Sequence, residues 1–140
     1  DIARWKIEVK NLQNHPLCKL AQEFKINRSN DFSSQVTKYA STGDSDMKEV
    51  LEIWLSAYGS MAGDIALKDL CTEGLWIAGG IAAKNLELMK SMTFINSLRN
   101  KGRFSSFIER IPIMVLTDPE AGLFSAACKA NLISKSSLST

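Results

Sequence analysis

Two short apolar runs constrain this chain most: Leu75-Trp76-Ile77-Ala78 and Ile113-Met114-Val115-Leu116. Each is four residues long and is bounded by glycine or proline, the pattern of a buried strand. Glycines Gly74, Gly79 and Gly80 flank the first, and Pro112 opens the second. A helical crossover of about thirty residues separates the two runs, so they should pair in parallel, by a right-handed connection. Two strands do not complete an α/β sheet. The remaining strands are expected from outside the chain, and the start at Asp1, without an initiator Met, points the same way.

The rest of the sequence reads as helix. Residues 1–13 are an amphipathic segment that could be strand or helix, with Trp5, Ile7 and Val9 able to dock on a neighbour. Pro16 to Lys25 places Leu17, Leu20, Ala21 and Phe24 at helical spacing behind a proline in the first turn. Asn27, Ser29 and Asn30 form a polar break. Asp31 then caps a short helix with Phe32, Val36, Tyr39 and Ala40 inward, ended by Gly43.

From Asp46 to Leu70 there is no proline, and Met47, Val50, Leu51, Trp54, Tyr58, Met61, Ile65 and Leu70 keep a helical period. Asp46 and Glu49 fit a capping box, while Lys48–Glu52 and Asp64–Lys68 are spaced to pair. Gly59 and Gly63 lie inside this helix, where each costs about 1 kcal/mol relative to Ala. With Ala62 and Ala66 they form a shallow groove that admits another backbone. Helices follow at 82–90, 92–100 and 103–110, and a last one from Pro119 to Ile133. Asp118 is placed to cap that last helix, ahead of a polar tail at 134–140.

The composition excludes several classes. Of 140 residues, 45% are hydrophobic and 23% charged, and the net charge is only +2. That is a soluble globular composition, with no electrostatic case for nucleic acid or an anionic membrane. Arg99, Lys101, Arg103 and Arg110 with Phe104 and Phe107 imitate a nucleic-acid patch. However, Phe104, Phe107 and Ile108 also fit an inward helix face. No run of 18 apolar residues spans a membrane, and the charged N-terminus is not a signal peptide. Cys18, Cys71 and Cys128 are too scattered to ligate a metal. They read as three reduced, buried thiols of a cytoplasmic protein. His15, before Pro16, reads as a surface or capping residue.

The sharpest local feature is Ile77-Ala78-Gly79-Gly80-Ile81-Ala82, a strand that ends in two glycines with a helix directly behind them. Ligands of parallel sheets bind beyond the carboxyl ends of the strands. Two residues without Cβ let a flat or anionic group approach the backbone. The same pattern also serves a tight turn that only needs a positive φ.

Taken in order, the motifs resemble a known family. IWLSAYGSMAGDIALKDLCTEG from Ile53, GLWIAGGIAAKNLE from Gly74, KGRF from Lys101 and IPIMVLTDPEAGLFSAA from Ile111 resemble the C-terminal part of the bacterial glucokinase family, cyanobacterial members included. The resemblance covers roughly residues 15–133. It implies an α/β fold: the C-terminal part of an RNase H-like, actin-like ATPase domain, mostly helical, with two parallel core strands. It further implies an N-terminal helical segment at 1–43, an RNase H-like subdomain at 44–133 and a flexible tail at 134–140.

On that resemblance the adenosine of ATP passes over Gly79 and Gly80 beside Ile81, and the helix behind Asp118, with Gly122, is part of an interdomain connection. Ala82 stands where many relatives have proline. The activity implied is transfer of the γ-phosphoryl of ATP to the 6-hydroxyl of glucose, with Mg²⁺, in a cytoplasmic homodimer. The family's phosphate loop, catalytic Asp and sugar-binding Glu and His have no counterpart in these residues and are expected upstream. Asp31, Asp44, Asp46, Asp64, Asp69 and Asp118 are accordingly caps or solvated charges. No catalytic or metal residue is assigned within the chain. The alternative is a non-catalytic dimerisation or regulatory domain of the same superfold, to which the apolar helix faces and the Gly59/Gly63 groove are suited.

Overall fold

The computed structural model describes residues 1–28, 31–118 and 120–137. Its elements run α1 (Ile2–Val9), α2 (Cys18–Ile26), α3 (Phe32–Ser41), α4 (Ser45–Lys68), β1 (Leu75–Ile77), α5 (Gly80–Lys84), α6 (Leu86–Met89) and α7 (Met92–Arg99). A 3-10 turn at Gly102–Phe104, α8 (Ser105–Ile108), β2 (Ile113–Val115) and α9 (Ala121–Ser137) follow. The chain divides into two compact units, residues 1–58 and 59–140.

In the first unit, α1 settles the open question at the N-terminus in favour of a helix. It buries Ala3, Lys6 and Ile7 and leaves Trp5 and Val9 exposed. Leu17, Ala21, Phe32, Val36, Ala40, Met47 and Val50 complete the core, and Leu20, Phe24 and Tyr39 are half-buried against it. The inward faces of α2 and α3 are therefore those their periodicity predicts. Lys6 is buried yet charged, and its ammonium pairs with Asp46 at 3.6 Å and with Glu49.

The caps differ from the sequence expectation. Asp31 stands at the N-cap of α3 without a side-chain cap bond; its carboxylate accepts from Gln35 Nε2 at 2.9 Å instead. The cap of α4 is Asp44, which accepts the Met47 N–H at 2.9 Å. Asp46 is drawn away to Lys6 and Lys10, and Glu49 to Lys6. Asp44 has a second duty, because α3 ends in a Schellman motif. The Asp44 N–H reaches Tyr39 O and the Gly43 N–H reaches Ala40 O, with Gly43 at φ +106°. One residue thus closes α3 and opens α4.

The second unit is built around the C-terminal half of α4. The periodic reading expected Met61, Ile65 and Leu70 inward, but they are 55%, 43% and 65% exposed. The buried face is the small-residue one, with Ala62 at 6% and Ala66 at 0%. The reason is α7. A Cβ at Gly59 would meet Phe94 O closer than real Cβ atoms come, with Leu98 N at 3.2 Å. One at Gly63 would collide with Leu98 O and Lys101 Cε. The expected groove exists, and a helix backbone of the same chain lies in it.

Lys101 fastens the contact. Its side chain is 7% exposed, and Nζ donates to Ser60 O at 2.7 Å, Ser60 Oγ at 3.2 Å and Asp64 Oδ1 at 2.7 Å. Asp64 therefore serves Lys101 rather than the expected wet-face pair with Lys68. Of the basic cluster read from the sequence, this member points inward. Phe104 is 47% exposed under the Arg103 guanidinium, 5.0 Å from the ring centroid. Ile108 is the buried member of that predicted face.

β1 and β2 pair in parallel, Leu75 with Ile113, Trp76 with Met114 and Ile77 with Val115, as the sequence predicts. The strands are shorter than expected and less covered: Trp76 is 61% exposed, and β2 is half-buried throughout. The helix expected at 82–90 is broken at Asn85 (φ −122°, ψ 41°) into α5 and α6. The segment 103–110 likewise splits into the 3-10 turn and α8. The cysteines are free thiols, but none is buried: Cys18 and Cys71 are half-buried and Cys128 is exposed. No helix among the described residues is long and apolar enough to cross a membrane.

Two stability outcomes follow from this packing. Gly63→Ala would favour the helix by about 1 kcal/mol at an open position. Here it should instead lower urea stability by about 1–3 kcal/mol, since α7 must move. At the other end of α4, Leu70 occupies the left-handed site (φ +47°) of a Schellman motif, with the Cys71 N–H on Ala66 O and the Leu70 N–H on Leu67 O. A left-handed L-residue costs about 1–2 kcal/mol, and this side chain is mostly exposed. Leu70→Gly should therefore raise the unfolding midpoint, a reversal of the usual effect of introducing glycine.

Candidate functional site

Parallel pairing brings the carboxyl ends of β1 and β2 to one end of the sheet. The ladder carries on one step, with the Leu116 N–H donating to Ile77 O at 2.9 Å. Beyond it the two chain segments leave separately. One runs through Ala78, Gly79 and Gly80 into α5, the other through Thr117 and Asp118 towards α9. The predicted site residues Gly79, Gly80 and Ile81 thus stand at the sheet end where ligands of parallel sheets bind.

The two glycines have different reasons. Gly79 has φ +109° and ψ 160°, a region essentially restricted to glycine. It makes the turn that lets α5 start at once, and its carbonyl receives the Ala83 N–H at 3.2 Å. Gly80 has no positive φ, is the first residue of α5, and a Cβ there would meet nothing within 4 Å. Neither its conformation nor its neighbours require glycine. Gly79, Gly80 and Ile81 are all exposed, Ile81 at 63%, while Ala82 just behind them is buried at 1%. The result is a flat, open strip of backbone on a buried footing, edged by one aliphatic side chain.

Opposite this strip in the topology, Asp118 accepts the Glu120 N–H at 2.8 Å and its carbonyl receives the Ala121 N–H at 3.3 Å. Its carboxylate closes a local turn onto the residue just ahead of α9, which opens at Ala121, so Asp118 is not the N-cap that the sequence suggests. The expected helix start at Pro119 lies outside the described residues. α9 continues to Ser137, past the expected end at Ile133. Gly122 in its first turn is exposed with open space where a Cβ would be, and Leu123, Phe124, Leu132 and Ile133 are each more than half exposed.

The strip itself offers backbone and one aliphatic side chain and no titratable group. His15 lies in the first unit and is engaged there, 2.9 Å from Asp44 through Nε2. No group of three or more His, Cys, Asp and Glu residues that could hold a metal ion exists among the described residues. A recess among the described residues lies elsewhere, in the first unit, lined by Arg4, Ile7, Glu8, Asn11 and Cys18 among others. None of the predicted site residues borders it. In the sequence Lys101 stands in the KGRF motif and in a basic cluster; its role in holding α4 needed the fold to bring it against Ser60 and Asp64.

Comparison with known proteins gives a consistent picture. A family model described as Glucokinase matches residues 10–133. Over 104 residues the chain is 39% identical to a glucokinase of Trichormus variabilis, covering 73% of this chain and 30% of that protein. It is 42% identical to one of Nostoc punctiforme over 86 residues, 61% of this chain and 25% of that protein. A glucokinase of Stenotrophomonas maltophilia is 33% identical over 95 residues, 68% of this chain and 28% of that protein. The chain therefore spans less than a third of the length of these curated relatives. No solved structure gives a significant match.

Proposed function

The chain belongs to the glucokinase family, and from that premise we propose that it is the adenosine-binding portion of an ATP-dependent glucokinase. The observation that carries the reading is Gly80. It is a helix-first glycine that neither backbone conformation nor packing explains, and it lies open at the ligand end of a parallel sheet. A flat ring lying over Gly79 and Gly80 would use the space a side chain would fill, with Ile81 against its edge.

In this reading the reaction moves the γ-phosphoryl of ATP to the 6-hydroxyl of glucose, giving glucose 6-phosphate. A carboxylate takes the hydroxyl proton, and catalysis is mostly positioning and charge neutralisation. No described residue here is assigned as that carboxylate. Mg²⁺ would accompany the ATP phosphates, and the described side chains offer it no cage. Gly79, Gly80 and Ile81 hold the nucleoside, and the sheet belongs to an RNase H-like domain of the actin-like superfold. Open space at Gly122 suits α9 to close approach of another domain as the cleft shuts. The working enzyme is taken to be a cytoplasmic homodimer.

The test is glucose-dependent ADP release by a full-length protein that contains this stretch, with Mg²⁺ present. No release would reject the kinase reading. In that protein Gly80→Val should raise the KM for ATP by about tenfold or more, a loss of about 1.4 kcal/mol of binding, with little change in the KM for glucose. Equal weakening of both would remove Gly80 from the nucleoside site.

A further inference from the structure

His15 is the single histidine, and the proposed kinase chemistry leaves it unused. Its ring bridges two parts of the first unit. Nδ1 accepts the Leu17 N–H at 3.1 Å, and Nε2 lies 2.9 Å from Asp44 Oδ2. The side chain is only 9% exposed, with the Tyr39 ring tilted beside it at 5.7 Å. A backbone N–H can only donate, so Nδ1 must be the bare nitrogen. Nε2 then carries the proton of the neutral ring and donates it to the carboxylate.

We propose that His15 is a protonation-sensitive latch: its neutral form ties the start of α2 to the α3–α4 junction, and a second proton, taken up at Nδ1, releases the start of α2. Protonation turns Nδ1 into a donor facing the Leu17 N–H, also a donor, in a place with little access to water. The other side of the latch holds. Burial works to raise the Asp44 carboxyl, but hydrogen bonds from the Met47 N–H and from His15 outweigh it, and the group stays below the usual aspartate value of 3.8. Asp44 therefore stays ionised above the carboxylate range, and the proton that works the latch goes to the ring.

α3 brings the Tyr39 ring against His15, and α2 presents the Leu17 backbone. Asp46 in the first turn of α4 is occupied by Lys6 and Lys10 of α1. The release is thus one-sided: the α2 entry loosens and the α4 cap persists.

Nitrogen-detected NMR of a full-length protein that contains this stretch, titrated from about pH 7.5 to about pH 5.5 where an ordinary imidazole changes charge, tests this directly. At the upper pH His15 should be the Nε2–H tautomer. The Leu17 amide should then shift with the same midpoint as the ring, and its exchange, corrected for intrinsic pH dependence, should rise several-fold. The Met47 amide should stay in place. His15→Asn provides an independent arm, since an Asn oxygen can accept from the N–H two residues on without titrating. In that variant the pH dependence at Leu17 should vanish. An Nδ1–H tautomer, a Leu17 amide that ignores the ring titration, or unchanged pH dependence in His15→Asn would each overturn the latch.

Discussion

The second unit depends on the near-contact of two helix backbones. α4 and α7 approach so closely that neither Gly59 nor Gly63 could carry a Cβ. Close approach places Phe94 and Leu98, at 0% and 1% exposure, in the centre of the unit. It also lets Lys101 reach across the groove to a mid-helix carbonyl and to Asp64. Each mid-helix glycine costs about 1 kcal/mol in propensity. Burying a side chain such as Phe or Leu returns about 1.5–3 kcal/mol, so the exchange favours the contact. The same choice turns α4, which leaves Met61 and Ile65 outward.

That rotation explains why the fold was only partly legible. Apolar periodicity located α2, α3, α4 and α7 and identified the inward faces of α2 and α3. It failed on the second half of α4 because it scores large apolar residues, whereas the buried face there consists of Gly and Ala. The glycines did signal the exception: two of them four apart inside a helix required a close neighbour. Capping was legible by type but not by position. Asp46 fits a capping box on spacing, yet buried Lys6 draws it off. That pairing depends on long-range packing, which local spacing does not contain. The breaks at Asn85 and at Gly102–Phe104 were missed for the converse reason, since short helical runs read alike whether or not they join.

The sheet was legible as to strands and direction but not as to cover. Two apolar runs on either side of a helical crossover fixed parallel pairing. Burial of both faces was inferred from apolar composition alone, and Trp76 is exposed. A two-stranded parallel sheet is seldom stable with faces open, and α9 likewise leaves Leu123, Phe124, Leu132 and Ile133 uncovered.

The candidate site turns on the difference between two adjacent glycines. Gly79 is fully explained by folding: its φ and ψ lie where side chains do not go, so any protein with this turn would need it. Such a residue is weak evidence for a ligand. Gly80 adopts helical geometry with open space around it, and Ala there would be the better helix former. Between the two, the residue that neither conformation nor packing requires is the better candidate for a binding role. Sequence alone treats the pair as one motif, for which the turn is the simpler explanation and a ligand the other. The backbone separates them: the turn requires Gly79, whereas no conformational or packing demand falls on Gly80.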